Sequence, residues 1–353
     1  MIICRTPFRI SFFGGGTDYP AWYRVHGGTV LAATIDKYCY LTCRYLPPFF
    51  EHRIRLVYRK TETCKTVDEI EHPSVREVMK FLGMSRGIEL HHDGDLPARS
   101  GMGSSSAFTV GLLHALYGLQ GIMPTKKQLA TESIFIEQDV LKETVGSQDQ
   151  VMAAYGGLRH VQFIANGEIA AVPVTLSAQR LGELQSHLML FYTGIARTAS
   201  DVAKSYVENI DSRRRQLRIM KELVEESKDV LIGNGDIHDF GHLLHEAWQA
   251  KRSLSAKVSN PEVDGLYEKA REAGALGGKL TGAGGGGFLL LFAPPDRQEQ
   301  ITASLDHLIR VPFQFESAGS QIIFHETGVD YLEVERARER QANITFKEFS
   351  HAA

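Results

Sequence analysis

The chain has 353 residues, 43% hydrophobic and 23% charged, the balance of a globular protein with apolar surface for about two domains. Thirty-nine Lys and Arg against 42 Asp and Glu leave a formal net charge of -3, so no global basic field points to nucleic acid or anionic lipid. No apolar run approaches the roughly 20 residues that span a bilayer, and Arg5 and Arg9 interrupt the apolar N-terminus, which reads as a strand and not as a leader. Strand-like runs rich in β-branched and aromatic residues occupy 3–13, 29–46 and 53–60. Of the four cysteines, Cys4, Cys39, Cys43 and Cys64, the pair Cys39 and Cys43 share a strand face but lie about 13 Å apart, too far to bridge or to clip one metal. Such thiols without an export signal suit a reducing cytoplasm.

Helical patterns follow. Phe108, Leu112, Ala115 and Leu116 stand at i, i+4, i+7 and i+8 directly after a run of glycines and serines. A second helix is predicted after Pro124, opened by a capping-box spacing of Thr125 and Gln128 and stopping near Gly146. Strands at 158–165 and 168–174 close the first half, and the polar stretch 180–186 marks a boundary. Beyond it come a strand at 187–194 and helices at about 212–233, 236–256 and 261–274. A strand at 287–295, a helix at 296–309 and strands at 312–317 and 321–326 complete the chain. The mixture in both halves predicts two α+β domains, 1–185 and 186–353.

Three glycine clusters stand out, at 14–19 (GGGTDY), 100–108 (SGMGSSSAF) and 277–288 (GGKLTGAGGGGF). None is a Walker loop, because Lys279 is followed by Leu280 where a Ser or Thr would hold Mg²⁺. Gly282, Gly284 and Gly287 match GxGxxG, but a helix precedes and a strand follows, the reverse of a dinucleotide fingerprint. SGMGSSSAF is the strongest phosphate site: its glycines let the backbone approach a ligand while Ser104, Ser105 and Ser106 enter a helix whose free N–H groups converge on an anion. An ordinary Ser cap after a glycine turn is the alternative. Glu137, projected at 100° per residue, lies amid Leu129, Ala130, Ile134, Ile136, Val140 and Leu141. A carboxylate there requires a partner, either Mg²⁺ or a structural cation. Ser147 and Gln150 have capping-box spacing and set Asp149 in the first turn of a helix.

These clusters, in this order, resemble the GHMP kinases, the superfamily of galactokinase, homoserine kinase, mevalonate kinase and phosphomevalonate kinase. The resemblance rests on TPFRISFFGGGTDYP, DLPARSGMGSSSAFTV, IEQDVLKETVGSQDQ and KLTGAGGGGFLLL and covers nearly the whole chain. It implies an N-terminal domain like ribosomal S5 domain 2 and a ferredoxin-like C-terminal domain. It also implies ATP held by Pro97, Gly101, Met102, Gly103, Ser104, Ser105 and Ser106, and Mg²⁺ held by Ser105 and Glu137. Asp149 is the implied catalytic base, with Arg9 beside it, and Gly14, Gly15, Gly16, Thr17, Asp18, Gly284 and Gly285 surround the acceptor.

Gly15 and Gly16 stand where galactokinase has an acidic residue and a histidine, which implies a bulkier or differently posed sugar. FFGGGTDYP, IDKYCY, ETVGSQDQ and TGIARTAS are most similar to the D-glycero-D-manno-heptose 7-phosphate kinases, with L-fucokinase-like domains next. That resemblance implies phosphorylation of the anomeric hydroxyl of a sugar phosphate, on the way to nucleotide-activated heptose for surface glycans. A non-catalytic sugar and ATP sensor is the rival class. Arg197, with Lys251 second, is the candidate for the far phosphate of such a substrate. A homodimer is left open, and no nucleic-acid or membrane partner is expected.

Overall fold

The computed structural model describes residues 1–98, 100–195, 199–208, 210–233, 235–327 and 331–340. Its centre is the antiparallel pair Ile2–Phe13 and Gly28–Tyr45. Among the described residues these belong to a nine-stranded sheet whose main path runs Gln321–His325, Ile2–Phe13, Gly28–Tyr45, Ile88–Gly94, Ile54–Val57, Thr61–Cys64. Gly28–Tyr45 is long enough to meet three strands on one edge, Phe315–Glu316 at its residues 34–35 among them. Its residues 28–33 meet Leu158–Phe163, and its residues 39–45 meet Ile88–Gly94. Pro7 has no N–H for the ladder, and the register slips between Pro7 and Arg9. Such a bulge re-aims the side chain beside it, and here that side chain is Arg9.

Phe108, Leu112, Ala115 and Leu116 are buried as the spacing predicts, but so are Ala107, Val110 and Leu113. The Ser104–Leu119 helix is therefore apolar around most of its circumference, a core helix packed on the central pair. A second, four-stranded sheet is ordered Ile309–Arg310, Leu188–Tyr192, Phe288–Phe292, Gly277–Leu280. The His238–Arg252 helix presses on it at Gly241 and Gly277, where a Cβ on Gly277 would stand 1.9 Å from the Gly241 carbonyl oxygen. Phe240 of that helix meets Phe12 and Phe13 edge-on at 5.6 and 5.1 Å, joining the cores of the two layers.

Four features depart from the sequence reading. The helix opened by Thr125, whose Oγ1 does accept from the Gln128 N–H at 3.1 Å, ends as α-helix at Phe135. Ile136–Val140 is a π-helical turn, whose extra residue per turn shifts the faces so that Val140 is exposed while Glu137 stays buried. The stretch taken as a boundary is largely the helix Ala178–His187, capped by the Ser177 hydroxyl; it reads as polar because only Leu184 and His187 of it are buried. The short helices Pro20–His26, Pro73–Phe81, Ala199–Val207 and Leu332–Arg340 were not foreseen. Finally, Phe315–Glu316 and Gln321–His325 return to the first sheet, where the latter covers the otherwise open edge of Ile2–Phe13. The stretch 186–353 is thus shared between two sheets.

Candidate active site

Arg9 and Asp149 lie 140 residues apart in sequence and meet as a bidentate pair, Nε to Oδ1 and Nη2 to Oδ2, both 2.7 Å. The remaining guanidinium nitrogen donates to the Gly101 carbonyl at 2.7 Å, and the Arg9 backbone N–H donates to the Met102 carbonyl at 3.1 Å. Arg9 thereby ties the central strand to both the glycine loop and Asp149. Its side chain is 4% exposed, whereas that of Asp149 is 23% exposed. The carboxylate is held by a buried guanidinium while remaining partly open to solvent.

Asp149 occupies the first turn of Gln148–Tyr155 as expected, but the Ser147–Gln150 capping box does not form. The Ser147 hydroxyl instead accepts from Gln138 Nε2 at 3.0 Å, and Gln150 Nε2 donates to Glu137 Oε2. Each side chain has a stronger partner in the packed interior than at the helix end.

Gly101 and Gly103 have φ of 82° and 75°, and Gly103 is the residue before the first turn of Ser104–Leu119. A Cβ on Gly282 would stand 2.6 Å from the Gly101 Cα. The phosphate-type loop and the third glycine cluster are thus in backbone contact that a side chain would abolish. Met102 contributes only backbone, its side chain being buried in the core. Pro97 and Ser105 are exposed. Gly284 and Gly285 turn the other way: a Cβ on Gly284 would meet the Val258 carbonyl, and the Gly285 N–H donates to that carbonyl at 2.8 Å. The contacts with the phosphate-type loop are made by Gly282 and Gly287 instead.

Glu137 is 1% exposed. Ser106, not Ser105, donates to its Oε2 at 2.8 Å, and its Oε1 has no partner. Burial pushes this carboxyl up to about 7, against the pull of hydrogen bonds from Thr109, Ser106 and Gln150. An orphaned carboxylate oxygen beside the first turn of Ser104–Leu119 fits a hard cation that takes its other oxygens from a ligand and water. No group of three or more His, Cys, Asp or Glu that could hold a metal exists among the described residues.

Asp18 is also buried, with Oδ1 accepting from the Gly16 N–H at 2.8 Å and Oδ2 from the Gln148 N–H at 3.3 Å. Burial raises its carboxyl, and Asp149 raises it further. Thr17 does not face a ligand, since its hydroxyl is spent on the Gly14 and Thr29 carbonyls. Gly14 packs against the Thr29 carbonyl, and Gly15 lies beside Gln148 and Ser11. Lys251 is 3% exposed, donates to the Gly282 carbonyl and interacts electrostatically with Arg9, Asp18 and Asp149. It belongs to the same centre. Arg197 lies outside the described residues.

The sequence reading gave no site role to three neighbours, Lys279, Tyr19 and Tyr206. Lys279 is buried with its ammonium on the Phe12 carbonyl at 2.8 Å, and burial together with repulsion from Lys251 and Arg9 pulls it well below the usual lysine range. Tyr206 donates to the Tyr19 hydroxyl at 3.4 Å, and both rings lie near enough to feel Asp18. Lys279 could have been singled out as a lone charge between apolar and glycine residues; Tyr206 carries no local signal.

Models of the GHMP kinases N terminal domain and of the GHMP kinases C terminal region match residues 70–157 and 219–309, together just over half of the chain. The chain belongs to the GHMP kinases. This GHMP kinase is 27% identical over 312 residues to D-glycero-alpha-D-manno-heptose 7-phosphate kinase of Campylobacter jejuni, covering 85% of this chain and 92% of that one. It is 26% identical over 311 residues to the bifunctional fucokinase/GDP-fucose pyrophosphorylase of Arabidopsis thaliana, covering 81% and 29%. The crystal structure of a D-glycero-D-manno-heptose 1-phosphate kinase from Bacteroides thetaiotaomicron matches with a TM-score of 0.75 at 23% identity, over 92% of this chain and 100% of that one. This last likeness is one of fold. No helix among the described residues is long and apolar enough to cross a membrane.

Proposed function

We propose that this GHMP kinase uses ATP and Mg²⁺ to phosphorylate the anomeric hydroxyl of D-glycero-D-manno-heptose 7-phosphate, giving the 1,7-bisphosphate. The observation that carries the reading is the Arg9–Asp149 pair set against the glycine loop. Phosphoryl transfer leaves little covalent work for a protein, so positioning and charge neutralisation dominate. Asp149 accepts the proton of the acceptor hydroxyl as that oxygen attacks the γ-phosphorus and the bond to ADP breaks. Arg9 holds both carboxylate oxygens in one plane. An anomeric hydroxyl is more acidic than an ordinary alcohol, which suits a carboxylate base. Backbone N–H groups at the start of Ser104–Leu119 meet the phosphate oxygens. Mg²⁺, when bound, supplies neutralisation of those oxygens, and Glu137 Oε1 with the Ser105 hydroxyl would hold it.

The choice of sugar is supported by the Campylobacter jejuni relative, and by Gly15 and Gly16, which carry no side chain to grip a hexose. An L-fucokinase-like acceptor is the second reading, supported by the relative from Arabidopsis thaliana. The test is ADP release with heptose, mannose and fucose, each with and without a terminal phosphate. Heptose 7-phosphate should give the highest kcat/KM. A preference for unphosphorylated fucose selects the second reading, and a folded protein that binds ATP but turns over no acceptor selects a sensor.

A further inference from the structure

Lys251 reaches the centre along its helix. It lies ten residues beyond Gly241, the point where its helix touches the small sheet at Gly277. Ten helical residues rise about 15 Å. The strand Gly277–Leu280 advances three residues, about 10 Å, and Gly282 follows in the turn beyond it. The two segments run side by side, and the Lys251 ammonium donates to the Gly282 carbonyl. Gly282 in turn packs on Gly101, whose carbonyl holds Arg9.

The ammonium has three donors, and the contact with Gly282 is its one hydrogen bond among the described residues. No carboxylate lies within ion-pair distance of it there, although Asp18 and Asp149 are near enough to attract it. A buried cation left with free donors is costly as a purely structural group. Such a group makes sense when an anion completes it. The far end of a seven-carbon sugar is the wrong place for that anion, since Lys251 neighbours Arg9 and Asp149 at the reacting end.

We propose that Lys251 is a catalytic residue of the transfer, its ammonium contacting the oxygens of the migrating phosphoryl group. The assignment rests on the kinase reading above. It makes the second half of the chain a supplier of transition-state charge, alongside the first half's Arg9, glycine loop and Asp149.

Lys251→Met and Lys251→Gln test it, the second keeping a donor for the Gly282 carbonyl. Both should lower kcat by about 10² to 10³. The Kd for ATP and the KM for the sugar phosphate should stay within threefold, and the melting temperature should be equal to or above that of the wild type, because an unpaired buried charge is gone. Binding of ADP with aluminium fluoride and acceptor, a mimic of the group in flight, should weaken in step with kcat while binding of ADP alone does not. A kcat within threefold of wild type overturns the assignment. So does a raised KM at unchanged kcat, which would place Lys251 on the substrate's resident phosphate. Loss of folding in both variants also overturns it, making Lys251 structural. A wild type that is inactive on every acceptor removes the kinase reading and this assignment together, whereas an active wild type matched by both variants removes this assignment alone.

Discussion

Lys251 and Glu137 are buried groups whose usual charge the fold disfavours, and each gives a separate solution signature. Burial first, and then repulsion from Arg9, pulls the Lys251 ammonium down to about 8, while Asp18 and Asp149 oppose that shift and Lys279 stands nearby. The unfolded chain holds this proton up to the ordinary lysine range, so stability rises with pH between about 8 and 10.4 and is lost again as pH falls through 8, by about 3 kcal/mol in all. Lys251→Met has no such term. Its melting temperature should exceed that of the wild type at pH 7 and converge on it by pH 10; a gap of constant size across these pH values contradicts the burial of a charge. For Glu137 the signature is the cation. Mg²⁺ added to nucleotide-bound wild type should raise the melting temperature, and Glu137→Gln should abolish that increment while keeping the nucleotide's own. An equal increment in both proteins places the cation elsewhere. Glu137 stood out in the sequence as a carboxylate on an apolar helix face, whereas Arg9 and Asp149 were named through the resemblance to the GHMP kinases. Gln150 was misread as a cap, since its partner, Glu137, comes from another segment that only the packed structure brings near.

Elements position these residues through local irregularities. The slip at Pro7 aims Arg9, the π turn at Ile136–Val140 sets Glu137, and the contact of Gly241 with Gly277 brings Lys251 to Gly282. Regular periodicity identified most of the long strands and helices but could not anticipate the irregular turns, because a π turn and a regular helix share the same apolar pattern over so few residues. The Gly241 contact can be tested directly. A Cβ there would meet Phe292 at 2.5 Å and the Leu276 Cβ at 2.8 Å. Gly241→Ala should push the helix off the sheet, costing about 1–3 kcal/mol of stability, and should lower kcat more than it weakens ATP binding, since the nucleotide loop belongs to the first half. An unchanged melting temperature contradicts this packing account.

At the scale of the whole molecule, one continuous site draws on both sheets. The first sheet and its covering helices bring Arg9, the glycine loop, Glu137 and Asp149; the second layer brings Lys251, Lys279 and Gly282. The two-part division was visible from the alternation of strand and helix patterns, but the return of Gln321–His325 to the first sheet was not. Sequence order carries no sign of which open edge a late strand will cover. The central claim is that Asp149 takes the acceptor's proton. The most direct measurement compares steady-state turnover of heptose 7-phosphate by the wild type and Asp149→Asn, with ATP affinity and folding checked in parallel. The account predicts a fall in kcat of roughly 10² to 10⁴ with ATP affinity within a few-fold of wild type. Turnover near wild type in a folded Asp149→Asn protein would contradict it.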